Sequence, residues 1–290
     1  MCPVGALSDL NRGDWRLSYC IIVGHARSGT TVLLNALNAC KDIYLLGEPH
    51  LYRNGRRENF VGWFNAQHAN WGNQPVKSSY VPELPGLEPD ANGNDYIDAL
   101  SQRVQIVGEK IVLGPEAAGH DFDKLRSWLE RKHWSAHIIF ALRRPSNIIA
   151  SCQKMYGDEP ADLVQSVAKT LQTALATARI FPKVTFVVYE DVADSTFEVL
   201  GRWLDVDLSG AYNMYTVERP VYKNFGADLP IANKITQLDA IYESLLMQLN
   251  TSVLAIPRYL LQIQQPIPQY VGIKSVWKCS EELTSLSAGF

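Results

Sequence analysis

The chain has 290 residues, of which 47% are apolar and 20% charged, a balance that supports a buried core and excludes a disordered chain. Its formal net charge of −3 provides no overall basic field for nucleic acid or an anionic membrane, so any anion bound here needs a local site. Cys2, Cys20, Cys40, Cys152 and Cys279 are odd in number and form no CxxC or Cys/His set, which argues against a disulfide framework and a zinc site.

Residues 1–16 carry Asp9 and Asp14 where a signal peptide would be apolar, and no apolar run reaches the ~18 residues of a membrane span. A cytoplasmic protein is expected. The first strand is Tyr19–Val23, closed by Gly24, and a helix is expected from Ser28 or Gly29, with Val32, Leu33, Ala36 and Leu37 at helical spacing. Ile43–Leu46 is a second short strand, ending at Gly47-Glu48. Residues 49–95 are rich in Asn, Gly, Pro and aromatics and show no sustained period. They read as a long irregular excursion, and excursions of this length are usually functional.

Gln105–Leu113 is a further candidate strand, broken by Gly108-Glu-Lys110, and Asp121 is a candidate cap for a helix carrying Phe122, Leu125 and Leu129. His137–Leu142 is the clearest strand; Arg143-Arg-Pro145 stops it, with Pro145 suited to the first turn of a helix to about Lys154. Residues 161–180 have helical spacing, Val184–Tyr189 is another buried strand, and Asp194 or Ser195 is expected to cap a helix through Phe197, Leu200 and Leu204. Residues 232–250 read as helical and 251–290 give little signal. Continuously apolar strands alternating with helices predict an α/β fold, a mostly parallel central sheet flanked by helices in three layers.

Gly24-His-Ala-Arg-Ser-Gly-Thr-Thr31 lies between a buried strand and a helix, with the glycine spacing of a Walker A phosphate loop. Such a loop turns backbone N–H groups and a helix N-terminus toward an anion. Thr30 stands where the Walker lysine would be, and the loop's cation is instead Arg27. Without that lysine or an acid ending a neighbouring strand, nucleoside triphosphate hydrolysis with magnesium is disfavoured. Glu190-Asp191, after Val184–Tyr189, lies late in the chain.

The stretch Ile21–Thr31 resembles the 5'-phosphosulfate loop of sulfotransferases that use 3'-phosphoadenosine 5'-phosphosulfate (PAPS). It is most similar to the branch of bacterial carbohydrate, nodulation-factor and tyrosyl-protein enzymes. The resemblance implies that Arg27, Ser28, Gly29, Thr30 and Thr31 bind the phosphosulfate, with adenosine 3',5'-bisphosphate as product and no metal. It also implies a second anion site, for the 3'-phosphate, at Arg143 and at Ser151 eight residues further on. Arg144 stands where the family often has Asp or Asn and is not assigned. Val184–Val192 is similar to a strand that the family ends in Tyr-Glu-Asp, read as structural, and Tyr222–Gly226, with Lys223, to the loop that closes over the adenosine.

For catalysis, Gly47-Glu48 matches the position of the family's carboxylate base, at the strand edge that borders the ligand crevice of an open α/β sheet. His50 is the rival base, and His25 is a loop-shaping residue. Lys110 resembles the lysine of the family's Lys-x-Pro segment, which contacts the sulfuryl and bridging oxygens. Here the proline comes later, in Leu113-Gly-Pro115. Catalytic work is thus expected of Glu48 or His50 with Lys110 and Arg27.

The whole chain, 1–290, is expected to be one sulfotransferase domain. Its cofactor core is 17–48 with 105–226, its acceptor segment 49–95, and residues 227–290 form a C-terminal extension. Tyr52, Trp63, His68, Trp71 and Tyr80, with Arg53, Arg56 and Arg57, suit a glycan or other small-molecule acceptor, and equally a packed lid or a dimer contact. A P-loop small-molecule kinase and a non-catalytic nucleotide-binding module remain the alternatives.

Overall fold

The computed structural model describes residues 17–69, 84–114, 122–218, 229–252 and 260–263. In chain order they form β1 (Ser18–His25), α1 (Thr30–Leu37), β2 (Ile43–Gly47), α2 (Leu51–Asn54), α3 (Phe60–Ala69), α4 (Gly93–Ser101), β3 (Ile106–Leu113), α5 (Phe122–Arg131) and β4 (Ser135–Leu142). There follow α6 (Pro145–Tyr156), α7 (Pro160–Ile180), β5 (Val184–Val188), a 3₁₀ turn (Tyr189–Asp191), α8 (Asp194–Leu204), α9 (Ala211–Glu218), α10 (Leu229–Ser252) and β6 (Leu260–Ile263).

The strands form one sheet in the order β2-β3-β1-β4-β5-β6. The first five are mutually parallel and β6 runs antiparallel to β5. Buried apolar side chains fill both faces, as the continuously apolar strands predict. On one face Ile22, Leu45 and Ile139 pack against Leu33 and Leu34 of α1, Phe197 and Leu200 of α8 and Tyr215 of α9. On the other, Tyr19, Ile21 and Phe140 meet Phe60 of α3, Tyr96 of α4, Leu125 of α5, Ile148 of α6, Leu163 of α7 and Leu238 of α10. After β1 the chain leaves over α1 toward β2; after β4 it leaves over α6 and α7 toward β5. Adjacent parallel strands whose connections depart in opposite directions, over opposite faces, leave a crevice between their C-terminal ends.

Four expectations change. β3 is continuous through Gly108-Glu-Lys110, because Glu109 is paired inside the core and Lys110 at its margin, leaving the strand's backbone ladder intact. Residues 49–95 are not irregular throughout: they include α2, α3 and the start of α4, whose first amides are capped by the Asn92 side chain. The helix after β5 starts one residue early, with Ala193 at the cap and its N–H donating to Thr196 Oγ1 at 3.0 Å. The C-terminal stretch contributes β6. Asp121 lies outside the described residues.

No helix among the described residues is long and apolar enough to cross a membrane.

Candidate active site

β1 delivers the loop 26–29 to the crevice. Gly29 takes φ 92°, which a residue with a Cβ adopts only under strain, and a Cβ there would sit 2.4 Å from the Tyr189 ring. A Cβ on Gly24 would meet Ser28 Oγ at 2.4 Å and the Ala141 carbonyl at 2.7 Å. Both glycines are therefore demanded by a tight strand-to-helix turn. The cap residue of α1, Gly29, offers no side chain to the amides of the helix's first turn. Ser28 Oγ is buried and has no hydrogen-bond partner among the described residues. Amides at a helix N-terminus without a side-chain cap and an unsatisfied buried hydroxyl suit a phosphate-like anion.

His25 shapes this loop from behind. Burial lowers its pKa, so the imidazole is neutral at pH 7. Its Nδ1 donates to the Ala26 carbonyl at 2.8 Å, and its Nε2 accepts the Ser166 hydroxyl, also at 2.8 Å.

Two clusters flank the loop. In the first, Lys110 Nζ on β3 donates to Thr31 Oγ1 at 2.9 Å and pairs with Glu48 Oε1 at 2.7 Å. Glu48 follows β2 directly, with its amide donating to the Lys110 carbonyl at 3.1 Å. Glu48 and His50 both have positive φ, 63° and 50°. Burial lowers the pKa of His50, with Arg53 acting in the same direction and Glu48 against it.

In the second cluster, Arg27 Nε donates to Ser151 Oγ at 3.0 Å, and Arg143 Nη1 donates to the Arg27 carbonyl at 2.9 Å across the crevice. The Arg143 guanidinium lies over the Tyr189 ring, 4.6 Å from its centre. Arg143 and Ser151 are buried, at 5% and 1% exposure, so a cation and a hydroxyl eight residues apart meet the phosphate loop at one place. Lys110, Glu48, Thr31, Arg27, Ser151 and Arg143 thus gather around one loop. Arg27 also hydrogen-bonds the hydroxyl of Tyr156, which lies within the electrostatic reach of Glu48.

Glu190 accepts the Arg144 backbone N–H at 2.9 Å and the Asn147 side-chain amide at 3.2 Å, which ties the 3₁₀ turn to the start of α6. Arg144 pairs with Glu243 of α10 at 2.5 Å. In the acceptor segment, Arg57 stacks on Trp63 at 4.6 Å and Arg53 on Tyr52 at 5.2 Å, while both aromatics pack on the core. The side chain of His68, and Trp71, Tyr80 and Lys223, lie outside the described residues.

Two residues of this neighbourhood escape the sequence reading. Tyr156 is one; a tyrosine in the last turn of α6 gives no signal by itself. Glu109 is the other: it has no exposure, and its carboxylate accepts from Tyr19 Oη at 3.0 Å and from the Leu51 N–H at 3.1 Å. Among the described residues no group of three or more His, Cys, Asp or Glu side chains is arranged to hold a metal ion.

A sulfotransferase domain of known structure shares this mostly parallel α/β sheet flanked by helices. The sulfotransferase domain of the Synechococcus olefin synthase aligns over 81% of this chain and 98% of its own, at 18% identity and TM-score 0.51. The Mycobacterium tuberculosis sulfotransferase STF1 aligns over 77% of each chain, at 15% identity and TM-score 0.42. No family model matches the sequence, and no curated protein matches it. The chain has the sulfotransferase fold.

Proposed function

We propose that the chain is a sulfotransferase that moves the sulfuryl group of PAPS to an acceptor hydroxyl by in-line displacement, with Glu48 as general base. The observation that carries this reading is the bridge made by Lys110, which ties a phosphate-loop hydroxyl, Thr31 Oγ1, to the Glu48 carboxylate. A cation and a carboxylate are thereby held together beside the loop proposed to bind the anion.

In this reading Arg27, Ser28, Gly29, Thr30 and Thr31 hold the 5'-phosphosulfate, and Arg143 with Ser151 holds the 3'-phosphate. Lys223 belongs to the adenosine-closing loop by sequence alone. The bound donor supplies an electrophilic sulfur. Glu48 takes the acceptor's proton, while Lys110 and Arg27 provide the positive charge that a leaving phosphate oxygen requires. His50, two residues on, is neutral at pH 7 and is the rival for the proton. Glu48 is preferred because it is the group tied to the loop. Sulfuryl transfer moves less negative charge than phosphoryl transfer, so no divalent metal is invoked. Residues 49–95 are proposed to receive a glycan or other small-molecule acceptor.

Incubation of the chain with labelled PAPS and a panel of glycans, phenols and tyrosine peptides, in EDTA, tests the reading. Transfer of label is expected. Activity that requires magnesium and ATP would support a small-molecule kinase, and tight nucleotide binding without transfer to any acceptor a non-catalytic module.

A further inference from the structure

We infer that Glu109 is the positioning residue for the turn that bears Glu48: it holds that turn by its backbone, while its neighbour Lys110 holds the Glu48 side chain. The inference rests on the reading of Glu48 as base.

Successive residues of a strand point to opposite faces. Lys110 therefore reaches Thr31 and Glu48 on the α1 side, and Glu109 enters the opposite core beside Tyr19. There the Glu109 carboxylate accepts the Leu51 N–H, and that of His50 as well, directly after the turn. The turn needs such a hold. Glu48 and His50 both sit in the left-handed region, unfavourable for residues with a Cβ, and such strain persists only where surrounding contacts over-determine it. The helix that follows, α2, has four residues and cannot fix its own start. From the N-terminal side, the Glu48 amide is bound to the Lys110 carbonyl. Consecutive residues of β3 thus clamp the turn at both ends and at its reactive side chain.

A carboxylate without solvent exposure is costly in a core that an apolar residue could fill, and here burial pushes its pKa up to about 7. What the acid provides that an apolar residue cannot is acceptance of those two amides.

The test compares Glu109→Met, which fills similar space but accepts no hydrogen bond, with Glu109→Gln. In the glutamine variant the carbonyl still accepts the amides, and the NH₂ donates to the Tyr19 oxygen. Three quantities are read on the full chain: kcat, affinity for adenosine 3',5'-bisphosphate, and amide exchange at 48–54 without ligand. Misplacing a catalytic group by about 1 Å costs on the order of 10²-fold in rate. Glu109→Met is expected to lose on that order in kcat, keep bisphosphate affinity within a few-fold, and lose exchange protection at 48–54; Glu109→Gln should recover all but a few-fold of the rate. Tyr19→Phe, which leaves the amide contacts in place, should stay within a few-fold of the parent.

A Met variant as active as the parent, a Gln variant as impaired as the Met variant, or a Tyr19→Phe loss as large as theirs would overturn the assignment. Should the Met variant not fold, the Gln and Phe arms decide it. Were the unmodified chain unable to use PAPS, the proposed function would fall, while the exchange measurement would still report whether Glu109 holds the turn.

Discussion

The two clusters flanking the phosphate loop are built from different chemistry. Around Lys110 a cation is paired with a carboxylate and a threonine hydroxyl, with strained backbone on the carboxylate's side. Around Arg143 two guanidinium groups meet a serine hydroxyl, a backbone carbonyl and the face of a tyrosine. A site that must move a proton needs an acid–base group beside its cation, and strain is stored where geometry has to be enforced. A site that only holds an anion needs directed donors on well-packed supports. Under the proposed function, the first cluster would set rate and the second affinity.

The largest effect should come from breaking the first cluster at its carboxylate. Glu48→Gln keeps shape and removes basicity, so kcat is expected to fall by ~10²–10⁴ with bisphosphate affinity near the parent's in calorimetry. His50→Asn, made alongside, should turn over within a few-fold of the parent. The opposite pattern would move the base to His50. Lys110→Met removes the charge that the proposed function places on the reacting oxygens, and on the scale of such electrostatic contributions kcat should drop by ~10²-fold.

Arg143→Ala probes the second cluster. A charge-assisted hydrogen bond is worth about 1.5–3 kcal/mol, so affinity should weaken by that amount for nucleotides bearing the 3'-phosphate and hardly at all for those lacking it. Equal losses for both ligands would erase the distinction between the clusters.

A further effect is expected on stability rather than on rate or affinity, through Glu109. Its carboxyl titrates in the fold at about 7, above the ordinary 4.5. Between those values the folded chain binds the extra proton, so stability declines as pH rises from 4.5 to 7 and is flat with respect to this group outside that window. The slope from one such group is at most about 1.4 kcal/mol per pH unit. Glu109→Gln should flatten this decline in chemical denaturation series. An unchanged slope would mean that Glu109 is ionised throughout the window.

Much of this was legible because β1, β4 and β5 are short apolar runs bounded by Gly, Arg-Pro or Tyr-Glu-Asp, signals that survive without tertiary context. Arg27 and Arg143 were legible through their place just after strands, and Ser151, inside α6, only through the resemblance, which implies a serine eight residues after the arginine. Helix α4 was not: Tyr96, Ile97 and Leu100 are its largest buried apolar residues, too few in nine to show a period, and Asn92 caps it with a side chain that reads equally as a turn. Glu109 was hidden for a different reason. A charged residue inside an apolar run reads as a break, and its partner Tyr19 is 90 residues away on a strand whose adjacency only the sheet order reveals. In the acceptor segment, Trp63 serves the core as well as the surface, so aromatic content alone overstated what is free for a ligand.

The central claim, that the loop and its two flanking clusters form a site for a 3'-phosphorylated sulfuryl donor, is tested most directly by calorimetry in EDTA. Adenosine 3',5'-bisphosphate is compared there with adenosine 5'-monophosphate and ATP. Metal-independent binding of the bisphosphate is expected, at least tenfold tighter than that of the monophosphate, in keeping with the roughly 1.5–3 kcal/mol of a charge-assisted contact to the 3'-phosphate. Equal affinities for bisphosphate and monophosphate, or ATP binding that appears only with magnesium, would contradict it.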